Sequence, residues 1–211
     1  MAIQLTSATK VLLIGDSITD AGWKADAEQM GSGYVRLIRD YLRAKDPKNA
    51  PQVINRGIGG NRVVDLAARW KDDVLALAPD VLSIMIGIND VWHKLAGWGA
   101  GCPIEEFIPT YRTILTQTKE KLPRCKLVLC EPTVISPPQH AEGNRALQPY
   151  VKATHDLAKE FSAEVVVPLH TTFFNAQQTR PDIDWASDGV HPTTSGHMLI
   201  ARTWLASTGT L

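Results

Sequence analysis

Short runs of consecutive apolar residues alternate along this chain with longer segments in which apolar positions recur every three to four residues. Lys10–Gly15 reads as a first strand, and Tyr34–Asp46 as a helix whose Val35, Ile38, Tyr41 and Leu42 form one stripe. Gln52–Asn55 is a second strand, followed by a helix over Val63–Leu77. Val81–Gly87 is almost continuously apolar, as a central strand buried on both faces requires. Helix Ile104–Lys121, strand Leu127–Glu131, helix Arg145–Ser162 and strand Glu164–Pro168 follow, and helix Thr194–Ala206, capped at Thr193 or Thr194, closes the chain. Strictly alternating strands and helices predict βαβ units, hence an α/β protein with a five-stranded parallel sheet between helical layers.

At 211 residues the pattern fits one domain, 1–211, with no repeat, low-complexity tract or linker. A hydrophobic share of 44% supports a large core. Lys plus Arg and Asp plus Glu both number 22, so no net field attracts nucleic acid or an anionic membrane, and no run of either sign appears. No stretch approaches the roughly 20 apolar residues of a spanning helix. Cys102, Cys125 and Cys130 are odd in number and lack the spacing of a zinc or redox motif. Reduced thiols and an N-terminus without a signal-like apolar region point to the cytoplasm. The histidines and acids lack metal-ligand spacing, so neither metal nor cofactor is expected.

Two irregular stretches follow strands: Trp92–Cys102, rich in glycine, and Ser136–Gln139, stiffened by Pro137 and Pro138. In doubly wound sheets the ligand crevice lies beyond the carboxyl ends of the strands, which makes both stretches candidate walls of a site.

The candidate chemistry lies at the same ends. Gly15-Asp16-Ser17 leaves the first strand, placing a hydroxyl where the chain turns out of the sheet, although Asp and Ser there also serve simply as helix caps. Asp188-Gly189-Val190-His191 precedes the last helix, and two side chains three positions apart on a turn can pair as carboxylate and imidazole. Such a pair is a general base for a serine; it is also a common surface motif. Acyl transfer further needs donors aimed at an oxyanion. Gly59 and Gly60 after the second strand let a backbone amide approach a substrate, and Asn89 after the third offers a side-chain amide, while glycine turns and Asn-Asp helix caps are the plainer readings.

Serine, glycine, asparagine and Asp/His candidates stand in chain order at the ends of successive strands or before the last helix, a conjunction that isolated matches do not produce. Block by block the chain resembles the SGNH hydrolases, also called GDSL esterases: Gly15-Asp16-Ser17, Gly59-Gly60, Gly87-Ile88-Asn89-Asp90 and Asp188-Gly189-Val190-His191 match the family's first, second, third and fifth blocks. The resemblance implies a flavodoxin-like three-layer α/β/α sandwich and a serine esterase. Ser17 would be its nucleophile, Asp188 and His191 its relay pair, and the Ser17 amide, the Gly60 amide and Asn89 its oxyanion hole, with Gly59 the rival donor.

Further strings, among them Ala68-Arg69-Trp70 and Gly196-His197-Met198, look like those of bacterial acetylxylan esterases, which implies removal of acetyl groups from xylan or xylo-oligosaccharides. Trp23, Trp92, Trp98 and Trp185 lie near these blocks on segments read as loops, and with Asp16 they are candidate substrate contacts; tryptophans also anchor loops to cores. His93 follows the Asn89 block and is a further candidate contact. Trp70 and Trp204, on helices, are expected in the core. Short-chain esterase, lysophospholipase or thioesterase activity and a catalytically inactive carbohydrate-binding protein are the alternatives. The partner expected is a small-molecule or oligosaccharide ester, with a homo-oligomer left open and neither nucleic acid nor membrane involved.

Overall fold

The computed structural model describes residues 2–133, 135 and 141–211, so the proline-stiffened stretch at 136–139 lies outside the described residues. Five strands form one parallel sheet in the order β2-β1-β3-β4-β5: β1 Lys10–Gly15, β2 Gln52–Gly57, β3 Val81–Met85, β4 Lys126–Cys130 and β5 Val165–Val167. Every residue of β3, and all of β1 after Lys10, is buried, which is why both read as unbroken apolar runs.

Among the described residues, eight α-helices cover the sheet: α1 Ser17–Asp20, α2 Tyr34–Lys45, α3 Val63–Trp70, α4 Ile88–Leu95, α5 Ile104–Lys121, α6 Ala141–Glu160, α7 Leu169–Thr179 and α8 Thr194–Ser207. α2 and α7 pack on α8, whereas α5 packs on α3 and α6, giving the two helical layers of the expected sandwich. Each layer carries a tryptophan with its indole nitrogen satisfied inside the core. Trp70 donates to Thr118 Oγ1 at 3.0 Å, and Trp204 donates to Ser83 Oγ, on β3, at 3.0 Å.

Three elements differ from the pattern-based expectation. The helix expected over Val63–Leu77 changes at Trp70 into a wider π turn, Lys71–Leu75, closed by the Ala76 amide on the Lys71 carbonyl at 2.9 Å. α4 occupies the start of the stretch read as irregular; Ile88, Asn89, Asp90 and Val91 are all buried, so its first turn shows no polar face. α7 buries only Leu169, His170 and Phe173, too few for a visible stripe.

The sheet order reverses at β1, which has β2 on one side and β3 on the other. The carboxyl ends of these three strands open onto one crevice, and the segments leaving them carry Ser17, Gly60 and Asn89. Among the described residues no helix is long and apolar enough to cross a membrane. The three cysteines are buried, unpaired thiols, and burial pushes each up to about 12, which keeps them protonated and inert.

Candidate active site

Ser17 opens α1, so its amide is one of the N–H groups a helix cannot satisfy from within. Asp16 caps this turn, accepting from the Ile18 amide at 3.0 Å. The turn is clamped from two sides. Thr19 Oγ1 lies 2.9 Å from the Tyr34 hydroxyl on α2, and buried Asn55 of β2 donates to the carbonyls of Thr19 and Met30 at 2.7 and 2.9 Å. Gly57 allows this close approach, since a Cβ there would stand 2.0 Å from the Asp20 nitrogen.

The second half of the site arrives from the other end of the chain. Asp188 folds its own turn, its Oδ1 accepting from the amides of Val190 and His191 at 2.9 and 2.7 Å. Its Oδ2 lies 2.6 Å from His191 Nδ1, and His191 Nε2 lies 2.8 Å from Ser17 Oγ. With Nδ1–H donating to Asp188, Nε2 is the acceptor for the serine proton. Burial opposes the charge on Asp188, but hydrogen bonds from the His191 ring and the two amides outweigh it and hold the carboxyl below its ordinary range. Both side chains are about half exposed, 57% for Asp188 and 50% for His191, so the hydroxyl is reached from an open surface.

Between β2 and α3, the Gly59 amide donates to Asp20 Oδ2 at 3.1 Å and is thereby consumed. Among the described residues no protein group accepts from the Gly60 amide. Gly60 sits at φ +77°, a conformation that side chains disfavour. Asn89, 3% exposed on α4, donates from Nδ2 to the Asn61 carbonyl at 3.1 Å, which leaves its second N–H for another acceptor.

A family model for GDSL-like lipases and acylhydrolases matches residues 13–199, most of the chain. The chain belongs to that family. An acetylxylan esterase from Geobacillus stearothermophilus is 35% identical, the match covering 98% of this chain and 97% of the relative. Among solved structures, one from Parabacteroides merdae described as a GDSL-like lipase superposes with a TM-score of 0.90 at 36% identity over the full length of both chains. A catalytic mutant of the acetylxylan esterase from G. stearothermophilus gives 0.88 at 33% identity, covering 98% of this chain and 97% of that one. Catalytic mutants of that esterase replace an aspartate, a histidine or a serine. The present GDSL-family protein is accordingly a carboxylic-ester hydrolase.

Around its reacting atoms, this esterase distributes the expected substrate contacts unevenly. Asp16 is 1% exposed and spent on capping, so its place is beneath Ser17 and not against a substrate. Trp92 lies on α4 and not on a loop, and it packs, like Trp185, against the core. Trp23 donates to the Gly57 carbonyl at 2.7 Å, and the Arg56 guanidinium stands 5.1 Å from its ring centroid. Trp98 is 70% exposed, with His93 as its ring neighbour at 6.1 Å. The sequence reading passed over His197. Burial, with His191 nearby, holds it down at about 4, so its neutral Nδ1 accepts the first amide of α2, Tyr34 N, at 3.2 Å. Among the described residues no three His, Cys, Asp or Glu side chains converge as a metal site.

Two buried acids lie behind the crevice of the GDSL enzyme. Burial raises Asp16 to about 7 against the pull of the Ile18 amide and of His191. Burial likewise raises Asp90 to about 7, opposed by the Val63 amide and reinforced by Asp16. A folded carboxyl that holds its proton up to about 7 binds more protons than the unfolded chain from about pH 4 upward. It therefore costs stability as pH rises through that window, by up to about 1.4 kcal/mol per pH unit, and no further above it. Asp90→Asn keeps an acceptor for Val63 and has no proton to lose. Its urea midpoint should gain on wild type between pH 4.5 and 7 and run parallel above that; a constant difference from pH 4.5 to 8 would contradict a buried, protonated Asp90.

Proposed function

We propose that this enzyme removes O-acetyl groups from carbohydrate of the xylan or xylo-oligosaccharide type through an acyl-enzyme on Ser17. The observation carrying the reading is the continuous relay Ser17 Oγ to His191 Nε2 to Asp188, 2.8 and 2.6 Å long. His191 takes the Ser17 proton as Oγ attacks the acetyl carbonyl carbon, and Asp188 stabilises the imidazolium. The carbonyl oxygen gains negative charge against the Ser17 and Gly60 amides and the free N–H of Asn89. Collapse breaks the bond to the sugar oxygen, which leaves with the proton from His191. Water then repeats the sequence on the acetyl-serine, releasing acetate and restoring the hydroxyl.

Three observations support the carbohydrate ester. A relay half open to solvent admits a small acyl group carried on a bulky polymer. Trp98, on the loop that follows α4, offers an exposed indole suited to stacking on a sugar ring. The related esterase from G. stearothermophilus is named for acetylxylan. The deciding measurement is a panel of acetylated xylobiose, another acetylated sugar, and p-nitrophenyl esters of rising chain length. Acetyl should exceed octanoyl in kcat/KM by at least about tenfold if the acyl group is held in a small site that gives the extra methylenes no apolar contact. A preference for octanoyl would replace the sugar reading with a lipid or thioester one, and binding of xylobiose without turnover would identify an inactive lectin-like protein.

A further inference from the structure

Arg69 sits on α3, outside the relay and 15% exposed, yet its guanidinium reaches two of the three strand ends that open onto the crevice, those of β1 and β2, and the loop that follows β2. Nη2 donates to the Gly15 carbonyl at the end of β1, immediately before Asp16 and Ser17, at 3.0 Å. Nη1 donates to the Arg56 carbonyl at the end of β2 at 2.9 Å and to Asp73 Oδ2 at 2.7 Å. Nε donates to Asn61 Oδ1 at 2.8 Å. The π turn after α3 is what supplies Asp73, which also faces Arg56 at 3.6 Å. A planar fork held at two strand ends and on a carboxylate is fixed in direction, as a lysine at the same place would not be.

The fourth contact gives this rigidity a target. Asn61 hangs from Arg69 by its side chain and presents its backbone carbonyl to Asn89 Nδ2. A carboxamide has two nearly isosteric orientations. The Asn61 carbonyl selects one, because the flipped amide would set Oδ1 of Asn89 against another acceptor. We propose that Arg69 is a positioning residue for the oxyanion hole, acting through Asn61 to hold the Asn89 carboxamide with its free N–H toward the reacting carbonyl. This rests on the reading of Asn89 as an oxyanion donor under the proposed function.

The test uses Arg69→Lys and Asn61→Ala, each alone and combined with Asn89→Ala, assayed on p-nitrophenyl acetate with thermal transitions recorded on the same samples. Arg69→Lys keeps the charge and loses the fork, and it should lower kcat by about 10- to 100-fold with KM within about threefold of wild type. Asn61→Ala should fall in the same range, and if the arginine variant does not fold, it carries the test alone, since residue 61 lies on a half-buried loop. In the Asn89→Ala background either substitution should cost less than about threefold, because residues acting through one group do not add. A merely structural arginine would lower the transition temperature and leave that coupling absent. Full kcat in Arg69→Lys and Asn61→Ala, or an undiminished loss on top of Asn89→Ala, overturns the inference. Wild-type kcat in Asn89→Ala alone would instead remove the oxyanion reading beneath it.

Discussion

Ser17→Ala should lower kcat by about 10⁴-fold or more while the protein stays folded. No other described side chain is within hydrogen-bond reach of His191 Nε2, so removal of Oγ leaves the imidazole without a nucleophile to activate. Ser17 is half-buried at the head of a short turn whose cap is Asp16 and whose anchors are Thr19 and Asn55, none of which the substitution touches. The thermal transition should therefore move only by the amount of a surface substitution, about 0.5 kcal/mol in either direction. Turnover of p-nitrophenyl acetate decides the matter: retained activity in a folded variant would place the nucleophile elsewhere.

The second large effect concerns charge that exists only during the reaction. Asn89→Ala should reduce kcat by roughly 10²–10³ with KM little changed, the behaviour of a donor that strengthens its bond as the carbonyl oxygen becomes an oxyanion. A stability cost accompanies it. Asn89 is 3% exposed, and its loss strands the Asn61 carbonyl, which should cost about 1–3 kcal/mol. Denaturation and kinetics on one preparation separate the two, since destabilisation reduces the amount of active enzyme while the oxyanion effect lowers the rate of each folded molecule. A loss that appears wholly in KM would assign Asn89 to substrate binding and not to the transition state.

Much of this site could be read in one dimension because its elements are local. Gly15-Asp16-Ser17 and Asp188-Gly189-Val190-His191 are turns closed by their own side chains, Asp16 on Ile18 and Asp188 on Val190 and His191, so a short string suffices to encode each. Strands β1 and β3 were equally legible, since burial on both faces demands an unbroken apolar run. α7 and the first turn of α4 were not, because one buries too few residues and the other too many to leave an amphipathic stripe. Trp92 was misplaced for the same reason: a buried first turn gives no sign that the chain beyond it is still helical.

The sequence by itself determined the sheet, the layers and which hydroxyl, imidazole and carboxylate are available, because periodic burial and self-closing turns are short-range properties of a chain. Only the tertiary structure decided how those parts meet. It spent the Gly59 amide on Asp20, buried Asp16 below Ser17, left Trp98 bare while packing Trp92, and joined the ends of β1 and β2 to the loop after β2 through Arg69. Each of these outcomes depends on groups tens of residues apart competing for the same donor, acceptor or patch of surface, and that competition is settled in space.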